Sequence, residues 1–190
     1  MIHCDSLIQS KMNDLFNCAC QYGHLDIAKY FVSLGLSLED IRVWDNNALG
    51  EACQNGHLDI VKYLMSRGLS LDDIRSNDGR VLQHACENGH LDIVKYFVSF
   101  GPSPGDKFGI DLINSFRTWE NKALGWTCQH GHLDIAKYLI DQGLSLDDIR
   151  SDNNYAFRLA CRNGHLNIVE YLISQGLSIN DIRSLSLIHI

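Results

Sequence analysis

The segment "ACQNGHLDIVKYL" places a cysteine, a histidine and a carboxylate close together, at Cys53, His57 and Asp59. A thiol beside a histidine can act as a nucleophile with its general base, and all three side chains are common metal ligands. Either chemistry requires the groups to converge on one point, with about 2.3 Å between zinc and a sulfur ligand. The interpretation therefore depends on the elements that carry the segment.

The segment is one of five copies. Gly-His-Leu, followed by Asp or Asn and then Ile, recurs at intervals of 33, 33, 42 and 33 residues, at Gly23, Gly56, Gly89, Gly131 and Gly164. The copies agree at the apolar and at the polar positions. A period of this length is typical of repeat proteins, in which each repeat packs against its neighbours.

The pattern within a repeat predicts two short antiparallel helices and a connecting arm. Apolar residues at helical spacing predict a first helix that ends at Gly56 and a second helix that ends at Gly68. In the arm, "LSLDDIRSND" over 69–78, Ser70 lies three positions before Asp73, which is the pattern of a capping box. The sequence leaves open whether the arm is a short helical turn or a β-hairpin.

The repeat, with "GHLDIVKYL" in its second helix, resembles the ankyrin repeat over residues 14–184. The family's Thr-Pro-Leu-His signature is replaced, as by "NALG" at 47–50, and its Asp-x-x-Gly hairpin tip is missing. The resemblance implies an all-α, ankyrin-type solenoid of five stacked helix-turn-helix repeats. We place these at about 10–42, 43–75, 76–117 with an insertion over 102–116, 118–150 and 151–184.

Both ends of the chain suggest a piece of a longer array. Residues 8–10, "IQS", fall in phase with "IRS" at 74–76, as if the chain began within the arm of an earlier repeat. Residues 185–190, "LSLIHI", match the translation of a transposase adapter end, so we expect a non-native tail there. The cysteine-rich, "LDDIRS"-bearing repeats are also similar to the long ankyrin arrays encoded by giant DNA viruses of amoebae.

Equivalent residues of stacked repeats form columns. Helices of neighbouring repeats lie about 8–10 Å apart, whereas a disulfide needs Cα atoms within about 7 Å. We therefore expect buried, unbridged thiols in the column Cys20, Cys53, Cys86, Cys128 and Cys161. The resemblance assigns the histidine column to hydrogen bonds that tie the turn between the two helices. Asp59 is expected to pair with Lys62 on the surface of the second helix.

Composition and charge exclude several classes of function. The formal net charge of −7 is the wrong sign for a chain that tracks a phosphate backbone, so we expect no nucleic-acid partner. No stretch approaches the roughly 20 apolar residues that cross a bilayer, and the start lacks a secretory signal. We therefore expect no membrane partner and a cytoplasmic location, in the host if the chain is viral. Known catalytic and phosphate-binding motifs are missing, so we expect no enzyme, metal or cofactor.

Function is expected at positions that differ between repeats. The resemblance implies a protein partner that contacts arm tips and the ends of first helices, and we expect a monomer. The arm candidates are Val43, Trp44, Asn46, Ser76, Asn77, Trp119, Asn121, Asp152 and Asn154. The candidates at helix ends are Gln54, Asn55, Glu87, Asn88, Gln129, His130 and Arg162.

Several alternatives stay open at this point. Trp44 and Trp119 hold equivalent arm positions and suit either a binding hot spot or packing between arms. The insertion over 102–116 suits either a partner-specific finger or a tolerated surface loop. A second hypothesis for the whole chain is the substrate-recognition part of a larger adaptor, whose missing segment recruits a ubiquitin ligase or another effector.

Overall fold

A computed structural model describes residues 2–100, 121–178 and 181, which form helices joined by short turns. The insertion over 102–116, Trp119 and the expected tail over 185–190 lie outside the described residues. The described parts of the chain contain no strand, and the predicted all-α, ankyrin-type class is confirmed. The chain divides into an N-terminal unit, Met1–Phe97, and a C-terminal unit, Val98–Ile190.

The N-terminal unit alternates long and short helices. In it α1 packs against α2 and α3, and α3 packs against α4 and α5. The helices are α1 (Ile2–Gln21), α2 (Leu25–Ser33), α3 (Leu38–Gln54), α4 (Leu58–Ser66), α5 (Leu71–Glu87) and α6 (Leu91–Val98).

The C-terminal unit repeats this order with one difference in its arm. There α10 packs against α9 and α11, and α11 packs against α8. The helices are α7 (described over 121–130), α8 (Leu133–Asp141), α9 (Leu146–Ile149), α10 (Ser151–Arg162) and α11 (Leu166–Ser174).

The core follows from the apolar spacing of each helix pair. On the first helix α3, Leu49, Ala52 and Cys53 are fully buried, and on the second helix α4 so are Ile60 and Leu64. Small Ala and Cys side chains allow close approach, while each fully buried Leu or Ile contributes about 1.5–3 kcal/mol. The repeating core of these residues holds each repeat against the next.

The arms that the structure describes are helical, which decides between the two alternatives left by the sequence. Ser37 caps α3: its Oγ accepts from the Asp40 N–H at 3.2 Å, and the Asp40 carboxylate accepts from the Ser37 N–H at 2.9 Å. This reciprocal pair starts a helix that runs through the arm into the first helix. The two segments meet at Asn46, whose φ of 62° lies in the left-handed region.

Candidate partner-binding surface

The histidine column ties neighbouring repeats together. The Nε2 atom lies 2.9–3.0 Å from the carbonyl oxygen of a residue 36 positions earlier, in the pairs His57 with Gln21, His90 with Gln54, and His165 with Gln129. Because a carbonyl only accepts, Nε2 carries the proton. The expected bond within the turn is thus wrong for these three residues, whose bond joins two repeats. Since the acceptor is a backbone atom, the side chain at that position is free to change.

The turn glycine gives the histidine ring its space. Gly56 has a φ of 78°, and a Cβ atom there would lie 2.7 Å from Cε1 of His90. Real Cβ atoms do not approach that closely, so both the backbone angle and the packing require glycine. The glycine of one Gly-His pair and the histidine of the next therefore pack together where two repeats stack.

Successive arms are joined by an arginine and an aspartate. In the N-terminal unit, Arg42 Nε donates to Asp73 Oδ1 at 2.8 Å and Arg42 Nη2 donates to Oδ2 at 3.0 Å. The Asp73 carboxylate also accepts from the Ser70 N–H at 2.8 Å and so caps α5. Burial works against ionisation of Asp73, but the hydrogen bonds from Arg42 and Ser70 outweigh it and lower its pKa.

The C-terminal unit contains the same link between arms. Arg150 Nη2 donates to Asp181 Oδ2 at 3.0 Å, and the Asp181 carboxylate accepts from the Ser178 N–H at 2.7 Å. Hydrogen bonds from Ser178, and then from Arg150, lower the pKa of Asp181 to about 2. In the sequence "Ser-x-x-Asp-Ile-Arg", the serine and aspartate therefore cap a helix, and the arginine bonds to the aspartate of the next arm.

The lysines of the second helices contact aromatic rings of the following repeat. Their ammonium groups lie 5.5–6.0 Å from a ring centroid, in the pairs Lys29 with Tyr63, Lys62 with Tyr96, and Lys137 with Tyr171. The expected surface pair of Asp59 with Lys62 is replaced, since Asp59 accepts instead from the Ile60 N–H at 2.8 Å. Cation–π contacts of this kind add about 0.5–1 kcal/mol each at exposed sites.

The cysteine column belongs to the core, with one exception. Cys20, Cys53, Cys86 and Cys128 are buried and form no disulfide, as expected, but Cys161 is exposed. Burial raises the pKa of Cys20 and of Cys128 to about 12, so these thiols stay protonated at neutral pH. No cluster of three potential metal ligands occurs among the described residues.

Two arm candidates serve the scaffold. Asn46 and Asn154 are buried and left-handed, with φ of 62° and 58°. Their amides donate to backbone carbonyls, Asn46 to Asp73 at 3.4 Å and Asn154 to Asp181 at 3.3 Å. Asn121 holds the equivalent position in the fourth repeat and is half-buried. Asparagine recurs here because it tolerates the left-handed region at the junction of arm and helix.

The residue two positions before each Gly-His histidine, at the end of the first helix, also has a local role. The amides of Asn55 and Asn88 donate to the carbonyl four residues earlier, at 2.9 and 2.8 Å, and so cap α3 and α5. At the same position His130 is exposed, and its Nδ1 lies 2.9 Å from the carbonyl oxygen of Trp126. One residue earlier, Gln54 and Arg162 are exposed while Glu87 and Gln129 are half-buried.

The remaining arm candidates are described only in part. The backbones of Val43 and Trp44 lie within α3, and those of Ser76 and Asn77 within α5, while their side chains lie outside the described part. Asp152 is exposed near the start of α10.

The first helices present a wider set of variable residues, of which only those at the helix ends are among the predicted candidates. Within each first helix, positions i, i+3, i+4 and i+7 lie on one side, beside the buried Ala-Leu-Ala-Cys positions. We call this surface the first-helix face. Its residues are Asp14, Asn17, Cys18, Gln21, Asn47, Gly50, Glu51, Gln54, Arg80, Gln83, His84 and Glu87 in the N-terminal unit, and Lys122, Gly125, Trp126, Gln129, Tyr155, Arg158, Leu159 and Arg162 in the C-terminal unit.

The first-helix face is accessible in both units. Every residue on it is exposed or half-buried, apart from Gly50 and Gly125. Those two glycines are covered by side chains of the next repeat, since Cβ atoms built on them would lie 3.7 Å from His84 and 3.0 Å from Tyr155. Variation at helical spacing in the sequence indicates the whole of this face, whereas the predicted positions lie only at the helix ends.

Comparison with known proteins identifies the family. A model described as ankyrin repeats (3 copies) matches residues 15–108 and again residues 82–183. The chain belongs to the ankyrin repeat family, whose members are in general protein–protein interaction modules and non-enzymatic scaffolds. Comparison with curated proteins gave no match. Among the described residues, no helix is long and apolar enough to span a membrane.

Proposed function

We propose that the chain is a non-catalytic module that binds a protein partner through the first-helix face and the arm tips. One observation carries the proposal: along each first helix the buried positions repeat, while the accessible positions beside them change. Glu51, His84, Trp126 and Leu159 hold one such position in four repeats. His84 and Leu159 also contact the glycine of the preceding repeat, but side chains of such different chemistry at one accessible position suit recognition of a partner.

The scaffold leaves these side chains available. The bond from His90 uses the backbone carbonyl of Gln54, so the Gln54 side chain can contact a partner while the repeats stay joined. A preformed surface on helices also lowers the entropy lost on binding. A monomeric chain in the cytoplasm belongs to the same proposal.

A capture experiment with matched variants tests the proposal. Immobilised protein is incubated with lysate, and Trp126→Ala on the first-helix face is compared with Ile173→Ala, a partly exposed apolar residue on the second helix α11. We expect Trp126→Ala to lose at least one captured protein that Ile173→Ala retains, with equal melting midpoints for the two variants. Equal capture by both variants would contradict the role of this face.

The arm tips are tested with a second pair of variants. Trp44→Ser with Trp119→Ser, and a deletion of residues 102–116, are compared in the same capture experiment. Loss of capture at an unchanged melting midpoint supports the arms as contacts. A lowered midpoint with intact capture assigns the tryptophans to packing instead.

A further inference from the structure

The C-terminal unit carries an unusual combination of residues on the first-helix face. Its cations are Lys122, Arg158 and Arg162, and beside them lie Trp126, Tyr155 and Leu159. No carboxylate occupies the face in this unit. The one acid of α10, Asp152, lies in its first turn, outside the four positions.

Contacts at Gly125 join the first-helix faces of α7 and α10. Gly125 lacks a side chain, and a Cβ atom there would lie 3.0 Å from Cε1 of Tyr155 and 3.7 Å from Cδ1 of Leu159. The Tyr155 ring thus lies against α7 while remaining exposed to solvent. The Arg158 guanidinium lies 5.9 Å from the centroid of the same ring. Tyr155 therefore contacts both Gly125 of α7 and Arg158 of α10.

The Arg158 guanidinium retains donors for a ligand. Its hydrogen bond from Nη2 to the carbonyl oxygen of Asp152 is long, at 3.4 Å. A guanidinium has five N–H donors in a planar fork that matches a carboxylate. A cation–π contact with an aromatic ring favours one orientation of such a group.

The N-terminal unit has the opposite character at the same positions. Its first-helix face carries three carboxylates and one arginine, at Asp14, Glu51, Glu87 and Arg80. The formal net charge of the whole chain is −7, so the cations of the C-terminal unit are a local departure from the overall charge. A local cationic patch on an acidic protein favours a short anionic ligand over a long polyanion such as RNA, because the remaining charge repels the latter.

We propose that the first-helix face of the C-terminal unit binds an extended acidic peptide segment of the protein partner. Carboxylates of the segment contact Lys122, Arg158 and Arg162, and an apolar side chain of the segment packs on Trp126 and Leu159. This inference rests on the proposed function and names the chemistry of its partner. Aromatic and arginine side chains of this kind commonly supply most of the binding energy at an interface.

Selection from a random peptide library displayed on phage tests the inference without a known partner. The full chain is the bait, and selected peptides are synthesised with a fluorescent label for anisotropy titration. We expect selected sequences rich in Glu and Asp around an apolar residue, whose affinity falls as salt is raised, because screening weakens exposed ion pairs. Peptides in which Gln replaces Glu should bind much more weakly in the same titration.

The chain provides a matched pair of charge-reversal variants. Lys122 and Arg80 occupy the same position of the repeat, and both are exposed. We expect Lys122→Glu to weaken binding of the acidic peptide about fivefold and Arg80→Glu to change it less than about twofold. Melting midpoints of both variants verify that each is folded.

The outcomes separate this inference from the function on which it rests. Selected peptides that lack acidic residues, or equal effects of Lys122→Glu and Arg80→Glu, would overturn the acidic-segment inference and leave the interaction module standing. Tighter binding of single-stranded poly(U) RNA than of the acidic peptides would also overturn it. If no peptide is selected and the capture experiment yields no face-dependent protein, both proposals fail.

Discussion

The two units share their scaffold and differ on the surface that it supports. In both, a histidine bonds to a carbonyl 36 residues earlier, a lysine lies over a tyrosine of the next repeat, and an arginine reaches the aspartate of the next arm. The first-helix face is acidic in one unit and cationic with aromatic residues in the other. Contacts that join repeats use backbone acceptors or repeated side chains, so the face can diverge without loss of packing.

The junction between arm and first helix also differs between the units. In α3 a single left-handed residue, Asn46, marks the junction, whereas Asp152, Asn153 and Asn154 are all left-handed at the start of α10. A left-handed non-glycine residue costs roughly 1–2 kcal/mol. With three such residues at its junction, the C-terminal arm forms a separate short helix, α9, whereas the N-terminal arms continue into their first helices.

The largest effect is expected from filling the space of a turn glycine. Gly56→Ala adds a Cβ atom 2.7 Å from the His90 ring, whereas at Gly164 nothing lies within 4 Å of such an atom. Both glycines are left-handed, with φ of 78° and 75°, so both variants incur roughly 1–2 kcal/mol of backbone strain. We expect Gly56→Ala to lower the free energy of unfolding by roughly 1–3 kcal/mol more than Gly164→Ala does.

Chemical denaturation of the two variants measures this difference. Gly164→Ala serves as the control for backbone strain. Equal losses in the two variants would show that the histidine ring moves aside at little cost, and that the column adds little to the stacking of repeats.

A smaller effect is expected from neutralising the link between arms. Asp73→Asn removes the charge that pairs with Arg42 and weakens the cap of α5, so we expect a loss of about 1–2 kcal/mol at neutral pH. Because the pKa of Asp73 is lowered in the folded protein, its stabilisation is present above the unfolded value of about 3.9 and is lost as the pH falls through the folded value.

The pH dependence of unfolding checks the sign of this effect. The wild type should lose stability more steeply than Asp73→Asn as the pH falls below about 4. Asp181→Asn makes the same comparison in the C-terminal unit, where the folded pKa of about 2 sets the lower end of the window. Parallel curves for wild type and both variants would show that the arm link does not contribute to stability.

The smallest effect is expected from the first-helix face. Gln54→Ala removes a side chain whose backbone carbonyl, and not its amide, accepts the bond from His90. We expect the free energy of unfolding to change by less than about 0.5 kcal/mol. His90→Ala is the matched variant that removes the same bond from the other side. A loss for Gln54→Ala as large as that for His90→Ala would mean that the side chain is part of the scaffold.

Local patterns made much of the fold predictable. The period of the Gly-His pair, the apolar spacing and the Ser-x-x-Asp box predicted the helix pairs and the helical option for the arm, and the position of Cys53 predicted a core thiol. The apolar spacing and the capping box depend on residues within a few turns of helix, and the period is visible directly in the chain. The hydrogen-bond partner of His57 was not predictable in the same way, because Gln21 lies in the preceding repeat.

The sequence by itself determined the family, the helical repeat and which positions vary. Only the tertiary structure decided which of those positions a partner can reach. The position of Asn46 is occupied by glycine at residue 79, yet the Asn46 side chain is buried and bonded to the next arm, while Trp126 and Arg158 are half-exposed. The physical reason is that the neighbouring repeat determines which side chains are covered. The residues that cover them lie about 33 positions away in the chain, so a local sequence pattern does not contain this information.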